Sequence, residues 1–182
     1  MSSVFPVFHV SVSAIIEEKE LEGNHLVVAC KINSISSHAF IDCGATSYAF
    51  INKDFATTHS LPLYPLKQHR VIEVIDGRTI SSGSVTHMTK VGLDIKGHIE
   101  ELPAFITLLG HYPMVLGKPW LRKHDVSIRF SNDSVTFDSE YCLNHCTEKA
   151  VQTKGISIDT PERTTNIAMI SAAAFRRIAG KT

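Results

Sequence analysis

Neither sign of charge dominates this chain: Lys plus Arg and Asp plus Glu number 18 each among 182 residues, which removes the basic footprint of a nucleic-acid binder. A long apolar run is missing too. The longest, Val4 to Ile16, is interrupted by Pro6, His9, Ser11 and Ser13, and is too short and too polar to cross a bilayer. No basic residue precedes it, and Glu17 and Glu18 stand where a signal peptide carries small residues, so neither a leader nor a membrane partner is expected. Four cysteines in a chain of this length are few for a disulfide framework and fit reduced thiols in a cytoplasmic setting. A Gly-rich phosphate loop is absent, and Ser47, Ser60 and the other serines lack a nucleophile elbow, which leaves serine-hydrolase chemistry without support. The histidines are scattered, with no pair at i,i+4 on a convincing helix. Cys142-x-x-x-Cys146, with His124 and His145, does not have the spacing of a zinc finger or knuckle, so spare thiols are expected rather than a metal, and no cofactor.

What is present is a chain with 43% hydrophobic residues, enough to build a core without a covalent or metal staple. Its apolar residues mostly alternate, the period of half-buried strands. Strands are expected at Val4 to Ile16, Leu26 to Ile32, His38 to Ile41, Val71 to Ile75, Arg78 to Ile80, Val85 to Ile95 and Leu102 to Leu108, with Gly92 as a bulge. Val126-Ile128-Phe130 and Val135-Phe137 read as a last hairpin around Asn132-Asp133. Tyr48, Ile51 and Phe55 recur at helical spacing before Leu61-Pro62, and Pro119 suits the first turn of a short helix through Trp120, whose indole N–H needs a partner. Asp76-Gly77 between two β-rich runs is a hairpin signal. Beyond Cys142, Thr147 to Thr165 is polar and reads as a linker; Ile167, Ile170, Ala174, Phe175 and Ile178 then suggest an amphipathic helix. The sum is an all-β, barrel-like domain with one or two short helices.

An acid closing an apolar strand and followed by a small residue and a glycine is what an aspartic peptidase needs: the strand holds the carboxylate rigid and the glycine lets the chain turn beneath it. Alone, Asp-x-Gly is a weak signal, because both residues are common in turns. Its context here is Phe40-Ile41-Asp42-Cys43-Gly44-Ala45-Thr46, which resembles the catalytic loop of retropepsin-like aspartic proteases. About seventy positions later, Tyr112-Pro113-Met114-Val115-Leu116-Gly117-Lys118-Pro119-Trp120-Leu121 resembles the second hallmark of those enzymes, and its Pro-Trp-Leu extension is similar to the gypsy-type retrotransposon branch. Phe137, the Cys142/Cys146 pair and Ile170-Ser171-Ala172 resemble that branch's passage toward reverse transcriptase.

The resemblance implies a closed retropepsin-like barrel that is one protomer of a two-fold dimer. It makes Asp42 catalytic, assigns Cys43, Gly44, Ala45 and Thr46 to the loop and substrate contacts, and makes Ile75, Asp76, Gly77 and Arg78 the flap. Val115, Leu116 and Gly117 become structural support. Cys43 replaces the family's Ser or Thr, whose hydroxyl is hydrogen-bonded across the dimer. The implied organisation is an N-terminal strand or extension at 1–21, a protease domain at 22–140, and a linker with helix at 141–182 leading toward a reverse transcriptase. The implied partners are a second copy of the chain and peptide segments of its own polyprotein, in the cytoplasm or within retrotransposon particles. A catalytically inactive remnant, or a domesticated interaction module that keeps the fold, is the alternative.

Overall fold

Residues 25–74, 77–80, 82–146, 150–152 and 174–177 are described by the computed structural model. The strand expected at Val4 to Ile16, and most of the linker and terminal helix, lie outside them. Six strands close into a barrel: β1 (Val27–Ile32), β2 (Ile35–Asp42), β7 (Met114–Gly117), β3 (Ala49–Asn52), β6 (His98–Thr107) and β5 (Val85–Ile95), which returns to β1. β2 runs parallel to β7 and β3 parallel to β6, while the other barrel pairs are antiparallel. β4 (Tyr64–Glu73) adds to the outer side of β5, and β8 (Val126–Arg129) and β9 (Ser134–Phe137) form a hairpin in a second small sheet. Among the described residues there are three six-residue helices: α1 (Lys53–Thr58), α2 (Lys118–Lys123) and α3 (Glu140–His145).

The turns show why the strands pair in this register. Asn33 and Ser34, at φ 48° and 69°, make a two-residue turn with both residues left-handed, which matches the twist of β1 and β2 and sets Ile32 opposite Ile35. Asn33 also closes the barrel: its N–H donates to the Gly92 carbonyl (2.8 Å), and its side-chain oxygen accepts from the Gly92 N–H (2.7 Å). Gly92 is therefore no bulge, contrary to expectation. The β5–β6 register runs without a slip from Met88 opposite Phe105 to Ile95 opposite His98.

Four further expectations are corrected. Tyr48 and Ile51 do not begin a helix; Ala49–Asn52 is β3, buried at all four positions between β7 and β6, so it has no polar face to betray its period. The helix starts only at Lys53, where the Asn52 side chain accepts from the Asp54 N–H (3.2 Å). β4 begins seven residues before Val71, with a register shift between Pro65 and Arg70. Where a linker was expected, β10 (Ala150–Gln152) pairs with β9, the open edge of β9 accepting backbone whatever its side chains, and just before it α3 packs Cys142 fully into the core. Where the terminal helix was expected, β11 (Ala174–Arg177) is a strand on the free edge of β4.

The interior divides in two. Val28, Ile32, Ile41, Ile51, Leu93, Leu102, Leu116, Trp120 and Phe137 fill the main core with their neighbours. A smaller cluster, Val27, Phe40, Ala45, Phe50, Ile72, Val85, Leu109, Tyr112 and Val115, joins the Asp42 loop to the β4–β5 region.

Candidate active site

Asp42 is the last residue of β2, and its backbone pairs in parallel register with Gly117 at the end of β7. Just beyond it the chain turns back over its own carboxylate. Asp42 Oδ1 accepts from the Gly44 N–H (2.8 Å) and the Ala45 N–H (3.2 Å), so two main-chain donors fix the side chain. Only 3% of Asp42 is exposed, and Oδ2 is buried with no hydrogen-bond partner among the described residues. Burial pushes the carboxyl above the ordinary aspartate range, and the Gly44 and Ala45 N–H groups only partly offset this. The result is a rigid carboxyl group with one oxygen committed and the other unspent.

β7 and α2 hold the loop from behind. Lys118 N–H donates to the Ala45 carbonyl (2.8 Å) and Gly117 N–H to the Tyr48 carbonyl (3.0 Å). A Cβ on Gly117 would stand 2.0 Å from the Ser47 carbonyl oxygen, so only glycine permits this approach. Val115 and Leu116 are buried between β2 and β3, opposite Phe40 and Ile41 on one side and Phe50 and Ala49 on the other. Ala45 is buried, whereas Cys43, Gly44 and Thr46 are exposed on the loop's outer side.

Of the hairpin expected at Asp76-Gly77, the second strand, Arg78 to Ile80, is reduced to a single bridge between Glu73 and Thr79. Gly77 N–H donates to the Val74 carbonyl (2.8 Å) and Val74 N–H to the Arg78 carbonyl (2.8 Å). Gly77, at φ 81°, takes the left-handed backbone that favours glycine. Gly77 and Arg78 are exposed; Ile75 and Asp76 lie outside the described residues. The base of the hairpin reaches the Asp42 loop, since Ile72 and Val85 share a cluster with Phe40, Ala45 and Val115.

A second polar centre lies around Glu100, whose side chain is 11% exposed. The Trp120 indole N–H, which needed a partner, donates to Glu100 Oε1. His124 Nε2 is 2.9 Å from the same oxygen, and Lys123 Nζ (2.9 Å) and the Tyr48 hydroxyl (3.3 Å) donate to Oε2. Burial pushes this carboxyl up, but the nearby His124, His98 and Lys123 outweigh it and hold Glu100 well below the usual carboxylate range. Sequence reasoning missed Glu100 because Glu100-Glu101 reads as a solvated acidic pair, and the Glu101 side chain is indeed 72% exposed.

Comparison with known proteins agrees with this geometry. The model of the PEG10/RTL1 protease domain matches residues 38–146, which include the Asp42 loop, the hairpin, β7 and α3. The retroviral protease-like domain of Ddi1 from Leishmania major superposes with a TM-score of 0.50 at 18% identity, covering 72% of this chain and 97% of that one. The EIAV protease complexed with the inhibitor HBY-793 gives a TM-score of 0.39 at 16% identity, over 58% of this chain and 93% of that one. The fold is mostly β, a closed six-strand barrel of the retroviral protease-like kind.

Proposed function

Because this chain belongs to the PEG10/RTL1 protease-domain family, we propose that it is an aspartic endopeptidase, active as a homodimer in which two Asp42 carboxyl groups face one another across a two-fold axis. The observation that carries this reading is the Asp42 side chain itself, with Oδ1 held by two backbone N–H groups and Oδ2 buried and unpartnered. Buried oxygens of this kind call for a proton or a donor. A second Asp42 supplies one, since two adjacent carboxyls cannot both ionise and share a single proton. The ionised member then takes a proton from water as it attacks the peptide carbonyl, while the protonated member donates to the carbonyl oxygen as charge develops there.

The remaining roles follow from position. Gly44 and Thr46, on the exposed side of the loop, meet the bound peptide; Ile75, Asp76, Gly77 and Arg78 form a flap that closes over it and excludes water. The substrate is extended polypeptide, by the resemblance a segment of a gypsy-type polyprotein containing this domain, cleaved in the cytoplasm or in a particle assembled there.

Specific peptidase activity should therefore fall on dilution, tracking the dimer fraction measured by sedimentation, because a monomer holds half a dyad. Full activity in a monomer, or no cleavage of an unfolded polypeptide at any pH or concentration, would overturn the reading. Cys43 favours the competing idea of a non-catalytic module, since an exposed thiol is a weaker donor than the Ser or Thr hydroxyl of the resembled loop. Under the peptidase reading, Cys43→Ser should tighten the dimer by roughly tenfold, the worth of two added neutral hydrogen bonds of about 0.5 to 1 kcal/mol each. Equal dimer dissociation constants for parent and Cys43→Ser would make Cys43 a passive residue.

A further inference from the structure

We propose that His98, His124, Cys142 and Cys146 form a binding site for one zinc ion, apart from the Asp42 centre, that fastens α3 to the barrel. Sequence spacing argued against a metal here, because Cys142 and Cys146 were weighed with His124 and His145. The fold substitutes His98, from the first position of β6, for His145. His145 is exposed, stacked on Tyr141, with Nδ1 2.9 Å from the Tyr141 carbonyl.

Donor atoms of His98, His124 and Cys142 lie within 4.8 Å of one another, and all three residues are buried. Cys146 lies outside that mutual spacing and is brought to it through His98, as the fourth ligand we assign. His98 Nδ1 is 3.1 Å from Cys146 Sγ and 3.6 Å from Cys142 Sγ, and His124 Nδ1 is 3.4 Å from Cys142 Sγ. Zinc at about 2.3 Å from sulfur and 2.0 to 2.1 Å from nitrogen places tetrahedral ligands roughly 3.3 to 3.8 Å apart, the scale of these separations. Two imidazoles and two thiolates are a closed structural donor set for zinc, and the two thiolates neutralise its charge in a buried place.

The surroundings point the same way. Both imidazoles turn Nδ1 toward sulfur, and His124 Nε2 lies 2.9 Å from Glu100 Oε1, while His98 Nε2, at 3.8 Å, is beyond hydrogen-bond reach of it. A carboxylate behind a histidine holds the proton on the far nitrogen and leaves the near one free to ligate. Lys123 and Trp120 in turn fix Glu100, and His98 is stacked on Phe137 (centroids 4.6 Å apart) and set edge-on to Trp120 (5.9 Å), so the rings are held in place before any ion arrives. The mechanical need is plain as well. α3 has six residues and buries only Cys142, too little apolar surface to dock so short a helix, whereas a bond from Cys142 and Cys146 through a metal to β6 and α2 would dock it.

The test is metal uptake by the whole reduced chain. The purified protein is expected to carry or take up about one equivalent of zinc, and cobalt(II) in its place should give the intense visible bands of a tetrahedral site with thiolate charge transfer. Zinc should raise the melting temperature by about 5 °C or more at saturating metal. Cys142→Ser and His124→Ala should each lose stoichiometric binding, Glu100→Gln should weaken it roughly 10- to 100-fold, and Cys43→Ser should bind like the parent. Should the Cys142 or His124 variant fail to fold, the parent titration decides alone. A folded, reduced parent that takes up neither zinc nor cobalt, or folded Cys142→Ser and His124→Ala variants that bind as the parent does, would overturn the proposal.

Discussion

Replacing Asp42 with Asn should lower peptidase turnover by about a thousandfold or more, while making the dilute protomer no less stable at neutral pH. The kinetic half follows from the dyad: an amide can neither hold the shared proton nor become the base that accepts one from water, and acid–base catalysis of this kind contributes about 10² to 10⁴ in rate. The stability half follows from the environment of the side chain. Asp42 is buried with Oδ2 unpartnered, and its carboxyl is raised above the ordinary value. A group whose folded pKa lies above its unfolded one favours the fold while protonated, below an unfolded pKa of about 3.9, and that contribution is lost as pH rises through the folded value. Above that raised folded value the parent protomer carries a buried charge that Asn lacks, whereas the Asn oxygen still accepts from Gly44 and Ala45. Any melting advantage of Asp42→Asn should shrink as pH falls through the raised folded value, where Asp42 becomes neutral too. Melting curves above and below that value beside turnover on one substrate check it. Cleavage by Asp42→Asn at a rate comparable to the parent would end the assignment of Asp42, and a variant that melts well below the parent at pH 7 would mean that the carboxylate is a structural ion.

The two halves of the site were unequally legible in sequence. The Asp42 loop is a local feature, with a buried strand, an acid at its end and a glycine two residues on, so Phe40 to Thr46 announced it. What braces the loop is not local. Gly117 lies against Ser47 only because β7 inserts between β2, its parallel neighbour, and β3, its antiparallel one, and neither pairing is made by a tight turn that the sequence could announce. For the same reason β3 looked helical: four residues buried on both faces have no alternation. Asn33-Ser34 was passed over because neither residue is glycine, although both take left-handed backbone in the turn that starts the barrel. The Glu100 centre was hidden by distance, with His98 separated from Cys142 by 44 positions, and by composition, since an acid among exposed lysines and acids looks like surface until Trp120 is seen to need it. Residues that act through their neighbours in sequence were readable; those that act through topology were not.

Gly117→Ala is expected to be the most disruptive single-methyl change in the barrel, and the catalytic loop should fail with it. The added Cβ would meet the Ser47 carbonyl oxygen at 2.0 Å, the Ala45 carbonyl oxygen at 3.0 Å and the Ala45 Cβ at 3.2 Å. The first two are main-chain atoms that cannot swing aside as a long side chain would. Relief requires the 45–48 segment to move away from β7, which breaks the hydrogen bonds from Gly117 to Tyr48 and from Lys118 to Ala45 and shifts the Gly44 and Ala45 N–H groups that position Asp42. Overpacking of this kind costs about 1 to 3 kcal/mol or more, and the two lost backbone bonds add about 1 kcal/mol each. A fall in melting temperature of about 10 °C is expected, with activity lost even at temperatures where the variant remains folded. Gly92→Ala is the control. There the nearest atom to the new Cβ is Asn33 Oδ1 at 3.5 Å, an ordinary contact, and Ala narrows the unfolded ensemble, so the barrel should melt within a few degrees of the parent. If Gly117→Ala instead melts beside Gly92→Ala and retains turnover, the loop is not clamped by β7, and the rigidity of Asp42 has to come from its own turn alone.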